Sequence, residues 1–156
     1  MYEQLLNNLA LEDMYISQVF EYYRRCYLQN QLSQAFVASS QRVSDELRQH
    51  ECIGVCNRSI GDIVPCARTL SGGAIRGSLQ QSGLITATGG ELFRGCVVFP
   101  TFDSSGHVIS ATGIRFGKRI RHWQNSTINW SKPKVDDYLS NGIIMAREVI
   151  YGKAYQ

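Results

Sequence analysis

The sequence predicts an α+β fold in which N-terminal helices pack with a small, mostly antiparallel sheet. Three observations lead there. Apolar residues recur at close to helical spacing through residues 2–38. The run from Phe93 to Arg115 reads as two apolar strands joined by the tight turn Asp103-Ser104-Ser105-Gly106. A short apolar stretch, residues 52–56, supplies another strand. The chain has 156 residues and 44% hydrophobic residues, enough for one real core. On this reading residues 1–40 form a helical N-terminal segment and residues 41–156 an α+β domain.

Each element has a local reason. Leu5, Leu6 and Leu9, then Met14, Ile16, Val19, Phe20, Tyr23, Cys26 and Tyr27, recur at close to helical spacing. Asn7 and Asn8 mark a break, with a second helix beginning near Leu11. Gln29 and Asn30 form a stop, and a short helix runs from Leu32 to Ser39. Tyr15, Tyr22, Tyr23 and Tyr27 either offer a stripe for stacking on bases or pack inward, and packing is the commoner fate of such a stripe. Ser44 before Asp45 and Glu46 is an N-cap with acids in the first turn, predicting a helix to about His50. Residues 57–73 read as loop. Gly72 and Gly73 lack the Gly-Lys-Ser/Thr ending of a nucleotide phosphate loop, so they read as a turn. A helix over residues 74–81 stops at Ser82 and Gly83, and residues 86–90 turn the chain.

In the hairpin, Val97, Phe99 and Thr101 alternate with Val98, Pro100 and Phe102. Pro100 has no N–H to give, which predicts an edge or a bulge there. Gly113 reads as a bulge in the return strand. Residues 120–125 suit a third strand. Beyond them, residues 135–139 suit a helix and residues 143–145 and 149–151 short strands.

The net charge of +3 conceals a strong asymmetry. Residues 1–51 carry a net −3, residues 52–93 a net +1, residues 94–134 a net +6 and residues 135–156 a net −1. Seven Lys or Arg between Arg94 and Lys134 face one acid, Asp103. Such a segment is either a solvated surface or the footprint of a polyanion-binding face. Five cysteines at irregular spacing, with no Cys-x-x-Cys pair, argue for reduced thiols rather than a zinc site. Hydrolase, metalloprotease and nucleotide-loop motifs are all missing from the sequence. Asp136 and Asp137 are adjacent and would diverge on a helix, so they suit solvent better than a shared metal. No apolar run reaches the ~18 residues of a membrane span. The N-terminus lacks the pattern of a secretory signal, giving the expectation of a cytoplasmic protein.

Phe93-Arg94, Val97-Val98-Phe99-Pro100, Asp103, Gly106, Val108-Ile109 and Gly113-x-Arg115 together resemble bacterial DnaG-type DNA primases. In that family this hairpin opens the RNA polymerase core. Ser44-Asp45-Glu46 and Ile53-Gly54 resemble the helix and strand before it. His122-Trp123-Gln124-Asn125-Ser126, with Trp130 and Lys132, resembles a divergent form of the family's Lys-Tyr-x-Asn-Ser segment. Ile75-Arg76-Gly77-x-Leu79-Gln80 is closer to primase-like proteins of mobile elements. The resemblance spans roughly residues 35–132 and implies the N-terminal subdomain of the primase core.

It also implies roles. Arg115 and Arg94 would line a basic groove, with Lys118, Arg119, Arg121 and Lys132 as local support. His122 stands where the family has lysine, or Arg121 does if the register slips by one. Trp123 would stack on a base, worth ~1–3 kcal/mol, or lie buried in a strand, and Asn125 belongs to the same segment. Arg42 stands in the upstream helix where the family has a basic residue.

The chain lacks the family's zinc module and the Toprim carboxylates that hold its Mg²⁺ pair. It is therefore expected to bind no metal or cofactor and not to polymerise nucleotides alone. The expected partner is single-stranded DNA or a primer–template. Helicase, a Toprim-containing protein or another replication protein of a mobile element would join it, and no membrane. The alternative is a protein–protein interaction module on a degenerate primase-like fold.

Overall fold

The structure is a computed structural model, and it describes residues 2–64, 69–117 and 126–133. Among the described residues, four α-helices, α1 (Tyr2–Leu28), α2 (Gln31–Ser39), α3 (Asp45–Arg48) and α4 (Leu70–Ser82), accompany four strands, β1 (Gly54–Val55), β2 (Cys96–Phe102), β3 (Val108–Arg115) and β4 (Thr127–Ser131). The strands form one antiparallel sheet in the order β1-β2-β3-β4. The α+β class expected from the sequence is the observed one.

The sheet is covered on both faces, which explains why β2 is buried from Cys96 through Pro100 instead of alternating with solvent. On one face Cys96, Val98, Ala111 and Trp130 meet Ile16, Val19, Phe20 and Tyr23 of α1 and Leu79 of α4. On the other, Val55, Val97, Phe99 and Ile114 meet Val37 of α2, with Val43 and Ile53. The tyrosines are core residues: Tyr23 is buried, and Tyr15 and Tyr22 pack against the first cluster.

Two glycines let these layers approach. A Cβ on Gly54 would lie 2.7 Å from Tyr23 Cβ, so only glycine lets α1 cross β1 this closely. A Cβ on Gly113 would lie 2.5 Å from Phe93 Cδ1. Gly113 is thus a seat for an aromatic ring and not a bulge; the register shift falls between Thr101 and Phe102.

Helix boundaries follow local capping. α1 runs through Asn7 and Asn8 without the expected break; the helix penalty of two asparagines, below ~1 kcal/mol each, is too small to interrupt it. Asn30 caps α2, accepting from Ser33 N–H at 3.0 Å. Ser44 caps α3 through Leu47 N–H. α4 begins earlier than the spacing predicts and includes Gly72 and Gly73. Thr69 explains this, since its Oγ1 accepts from Gly72 N–H at 3.0 Å and nucleates the first turn. Gly83, at φ +90°, ends α4.

Pro100 lies past the two residues of β1, so among the described residues no strand pairs with β2 on that side there. His50 uses that gap. Its Nδ1 accepts from Cys52 N–H at 3.0 Å and its Nε2 donates to the Pro100 carbonyl at 2.6 Å. The described cysteines are free thiols, with Cys56 and Cys96 buried. The strand expected over residues 120–125 and the elements expected beyond residue 134 lie outside the described residues.

Candidate nucleic-acid interface

The strand that carries Arg115 ends beside the turn that carries Arg94. Cys96 pairs with Arg115 across β2 and β3, and Arg115 Nη1 donates to the Arg94 carbonyl at 3.1 Å. Arg42, in the segment between α2 and α3, donates from Nη1 to the Arg115 carbonyl at 3.1 Å. Its guanidinium lies 5.5 Å from the Phe36 ring centroid, and Phe36 in turn lies 5.9 Å from Phe116. Three arginines from three segments therefore meet at one end of the sheet, beside two partly buried aromatic rings. Guanidinium groups in such a row can hold successive phosphates bidentately.

The row continues past Arg94. Arg58, Arg76 and Arg94 line a pocket of about 330 Å³ with Gly89, Gly90 and Glu91. Sequence reasoning passed over Arg58 and Arg76 as binding residues because they belong to the nearly neutral stretch before the hairpin. Only the fold brings the loop after β1 and the middle of α4 beside Arg94. Glu91 accepts from the buried Tyr23 hydroxyl at 3.0 Å.

The remaining sequence candidates are placed differently. Lys132 lies at the opposite end of β3 from Arg115: its N–H donates to the Ile109 carbonyl, six residues or roughly 20 Å along the strand. Its ammonium is paired with Asp13 of α1, so it ties helix to sheet. Lys118, Arg119, Arg121, His122, Trp123 and Asn125 lie outside the described residues. Trp130 is buried, its ring 5.6 Å from that of Phe20 and tilted 39° to it, and it donates to the Ser82 carbonyl at 2.7 Å.

Burial holds the thiols near this site in the protonated form. Burial pushes the Cys56 thiol up to about 12, with Glu91 adding to the effect. Burial also pushes Cys96 up to about 11 against the opposing pull of Arg115. Among the described residues, no group of three His, Cys, Asp or Glu side chains is placed to hold a metal ion.

No family model and no curated protein sequence matches the chain. Solved structures do match. The DnaG catalytic core superposes with a TM-score of 0.58 at 17% identity, covering 80% of this chain and 39% of that one. The DnaG primase catalytic domain bound to ssDNA gives 0.59 at 17% identity, over 83% and 42%. The chain shares its fold with part of the DnaG primase core. The Aquifex aeolicus primase, in its zinc-binding and RNA polymerase domains, gives 0.57 at 21% identity, over 80% and 30%. The chain thus spans less than half the length of each of these primase structures. In this primase-like fold, the row of Arg42, Arg115 and Arg94 sits at the end of the central hairpin, the same hairpin that carried the resemblance in the sequence.

Proposed function

We propose that the chain is a primase-like nucleic-acid-binding module. It binds single-stranded DNA or a primer–template through the face carrying Arg42, Arg94 and Arg115, and takes part in replication of a mobile element in the cytoplasm. The observation that carries this reading is the meeting of those three arginines on a primase-like sheet. Lys118, Arg119 and Arg121 follow Arg115 directly in the chain and extend the same positive run. His122, Trp123 and Asn125 are proposed to contact the strand as it leaves that run. These 156 residues supply the grip on the strand, and phosphoryl transfer depends on Toprim carboxylates outside them.

Binding to a labelled single strand, followed by fluorescence anisotropy, tests this reading. Replacing Arg115, Arg119 and Arg121 together by alanine is expected to weaken binding at least ten-fold at moderate salt. Each lost phosphate contact also lowers the dependence on salt. Unchanged affinity overturns the reading.

A second reading, a protein-docking module, is favoured by a different surface. A cleft of about 740 Å³ is lined by Tyr22, Arg25, Leu32 and Asp62 among others. Leu28 and Leu32, at the turn between α1 and α2, are 58% and 78% exposed. Such side chains suit a helicase or another replication protein. Replacing both leucines by serine would abolish that association without touching DNA binding.

A further inference from the structure

The cleft at the turn between α1 and α2 is polar and electrically balanced. Its volume of about 740 Å³ falls within the range of about 300–1,000 Å³ typical of small-ligand sites. Arg25 and Asp62 are the charged residues that line it, and their charges cancel, so it suits a neutral ligand better than a phosphate. The carboxamides of Gln29, Gln31 and Asn57 add both donors and acceptors. Tyr22 forms a fixed wall, its hydroxyl held between the Ser59 carbonyl at 2.9 Å and Asp62 Oδ2 at 3.1 Å. The flat guanidinium of Arg25 lies over that ring, 5.6 Å from its centroid. Arg25 is exposed and, among the described residues, forms no ion pair. A guanidinium plane beside an aromatic ring, with amide and carboxylate groups around it, is the chemistry that holds an unstacked base.

The hydrogen-bonding groups select among bases. An ionised carboxylate only accepts, and Asp62 Oδ1 makes no hydrogen bond among the described residues. Asp62 can therefore receive the adjacent donors N1–H and N2–H₂ that guanine carries on its Watson–Crick edge. Adenine would set its N1 against it, acceptor against acceptor. The Asn57 side-chain oxygen accepts from Ser59 Oγ, which leaves its amide nitrogen to donate, as guanine O6 requires. We propose that this cleft binds a guanine base, either free as a nucleoside or unstacked from a single strand. Asn57 lines the cleft, and Arg58, next in the chain, lines the pocket beside Arg94, so the cleft adjoins the arginine row. The strand form rests on the nucleic-acid reading above; the nucleoside form stands without it.

Cys26 reports on the cleft: it is partly exposed and lines it, whereas Cys52 is partly exposed and does not. The test follows alkylation of both thiols in the full chain by mass spectrometry, with guanosine or adenosine added. Nucleosides carry no phosphate, so the arginine row takes no part. Guanosine is expected to slow alkylation of Cys26 and not of Cys52. It does so at about one-tenth of the adenosine concentration, a discrimination within reach of one bidentate pair. In parallel, fluorescence anisotropy compares a thymine strand carrying one central guanine with the same strand carrying adenine. A preference for guanine in the nucleoside pair alone assigns the free ligand; a preference in the strand pair assigns the unstacked base. In either case Asp62→Asn, which keeps an acceptor for the Tyr22 hydroxyl, removes the preference without lowering the melting temperature by more than a few degrees. Equal behaviour within both pairs overturns the proposal and leaves the cleft to the protein partner of the second reading. A preference that survives Asp62→Asn overturns it as well. Failure of both strands to bind counts against the nucleic-acid reading alone, and the nucleoside pair then decides the cleft.

Discussion

Gly54 and Gly113 show how much one missing methyl group decides in this chain. Each accepts a neighbouring core residue at a distance no Cβ allows. Gly54→Ala is therefore expected to push α1 off β1, and Gly113→Ala to push Phe93 out of its seat. Overpacking of this kind typically costs about 1–3 kcal/mol, read as a lower urea midpoint; a neutral effect of both would mean that the layers are farther apart. The buried thiols make a second residue-scale prediction. Cys56 and Cys96 keep their protons in the folded chain to about 12 and 11, against an ordinary value of 9.0. Their contribution to stability is complete below pH 9 and is lost as pH rises from there toward the native values, because the unfolded chain then releases protons that the native state retains. Urea unfolding at pH 8 and at pH 10.5 should differ by a few kcal/mol, and Cys56→Ala should reduce that difference. Alkylation of the native protein should reach the partly exposed Cys26 and Cys52 before Cys56 and Cys96.

At the level of elements, the hairpin of β2 and β3 was readable because its signals are local: alternation, a Gly-ended turn and β-branched residues in sequence. Asp103 fixes that turn by accepting from Ser105 N–H and His107 N–H, each at 2.9 Å, and these bonds hold its carboxyl below the usual range. Ser44 and Gly83 likewise announce helix ends through chemistry that acts within a few residues. The start of α4 was hidden because two glycines argue against helix while one threonine cap argues for it, and α1 packs against the helix that results. Replacing Thr69 by alanine should cost about 1 kcal/mol and fray that first turn, visible as faster amide exchange at Gly72 and Gly73. The tie between α4 and β4 is the bond from Trp130 Nε1–H to the Ser82 carbonyl. Trp130→Phe leaves that buried carbonyl unpaired and should cost about 1–3 kcal/mol.

For the whole molecule, charge and fold gave different parts of the site. The basic segment from Arg94 onward leads to the end of the sheet where Arg42, Arg94 and Arg115 meet, because a strand end and the next turn are also neighbours in sequence. It gave no hint that Lys132 closes a helix-to-sheet ion pair at the other end, since linear charge density carries no strand direction. Nor did it reveal Arg58 and Arg76, each eighteen residues upstream of the next arginine of the pocket and visible as partners of Arg94 only after β1, α4 and β2 are assembled. What results is a primase-like sheet with an arginine row at its hairpin end, and the account stands on that row gripping a strand. The most direct measurement is the salt dependence of single-strand binding for the unaltered chain and for a variant with Arg42, Arg94 and Arg115 replaced by glutamine, with melting curves confirming that both are folded. Each phosphate contact contributes a slope of roughly −0.7 for single strands. The account predicts that the variant binds more weakly and loses about 2 from the magnitude of the slope; equal affinity and equal slope in two folded proteins would contradict it.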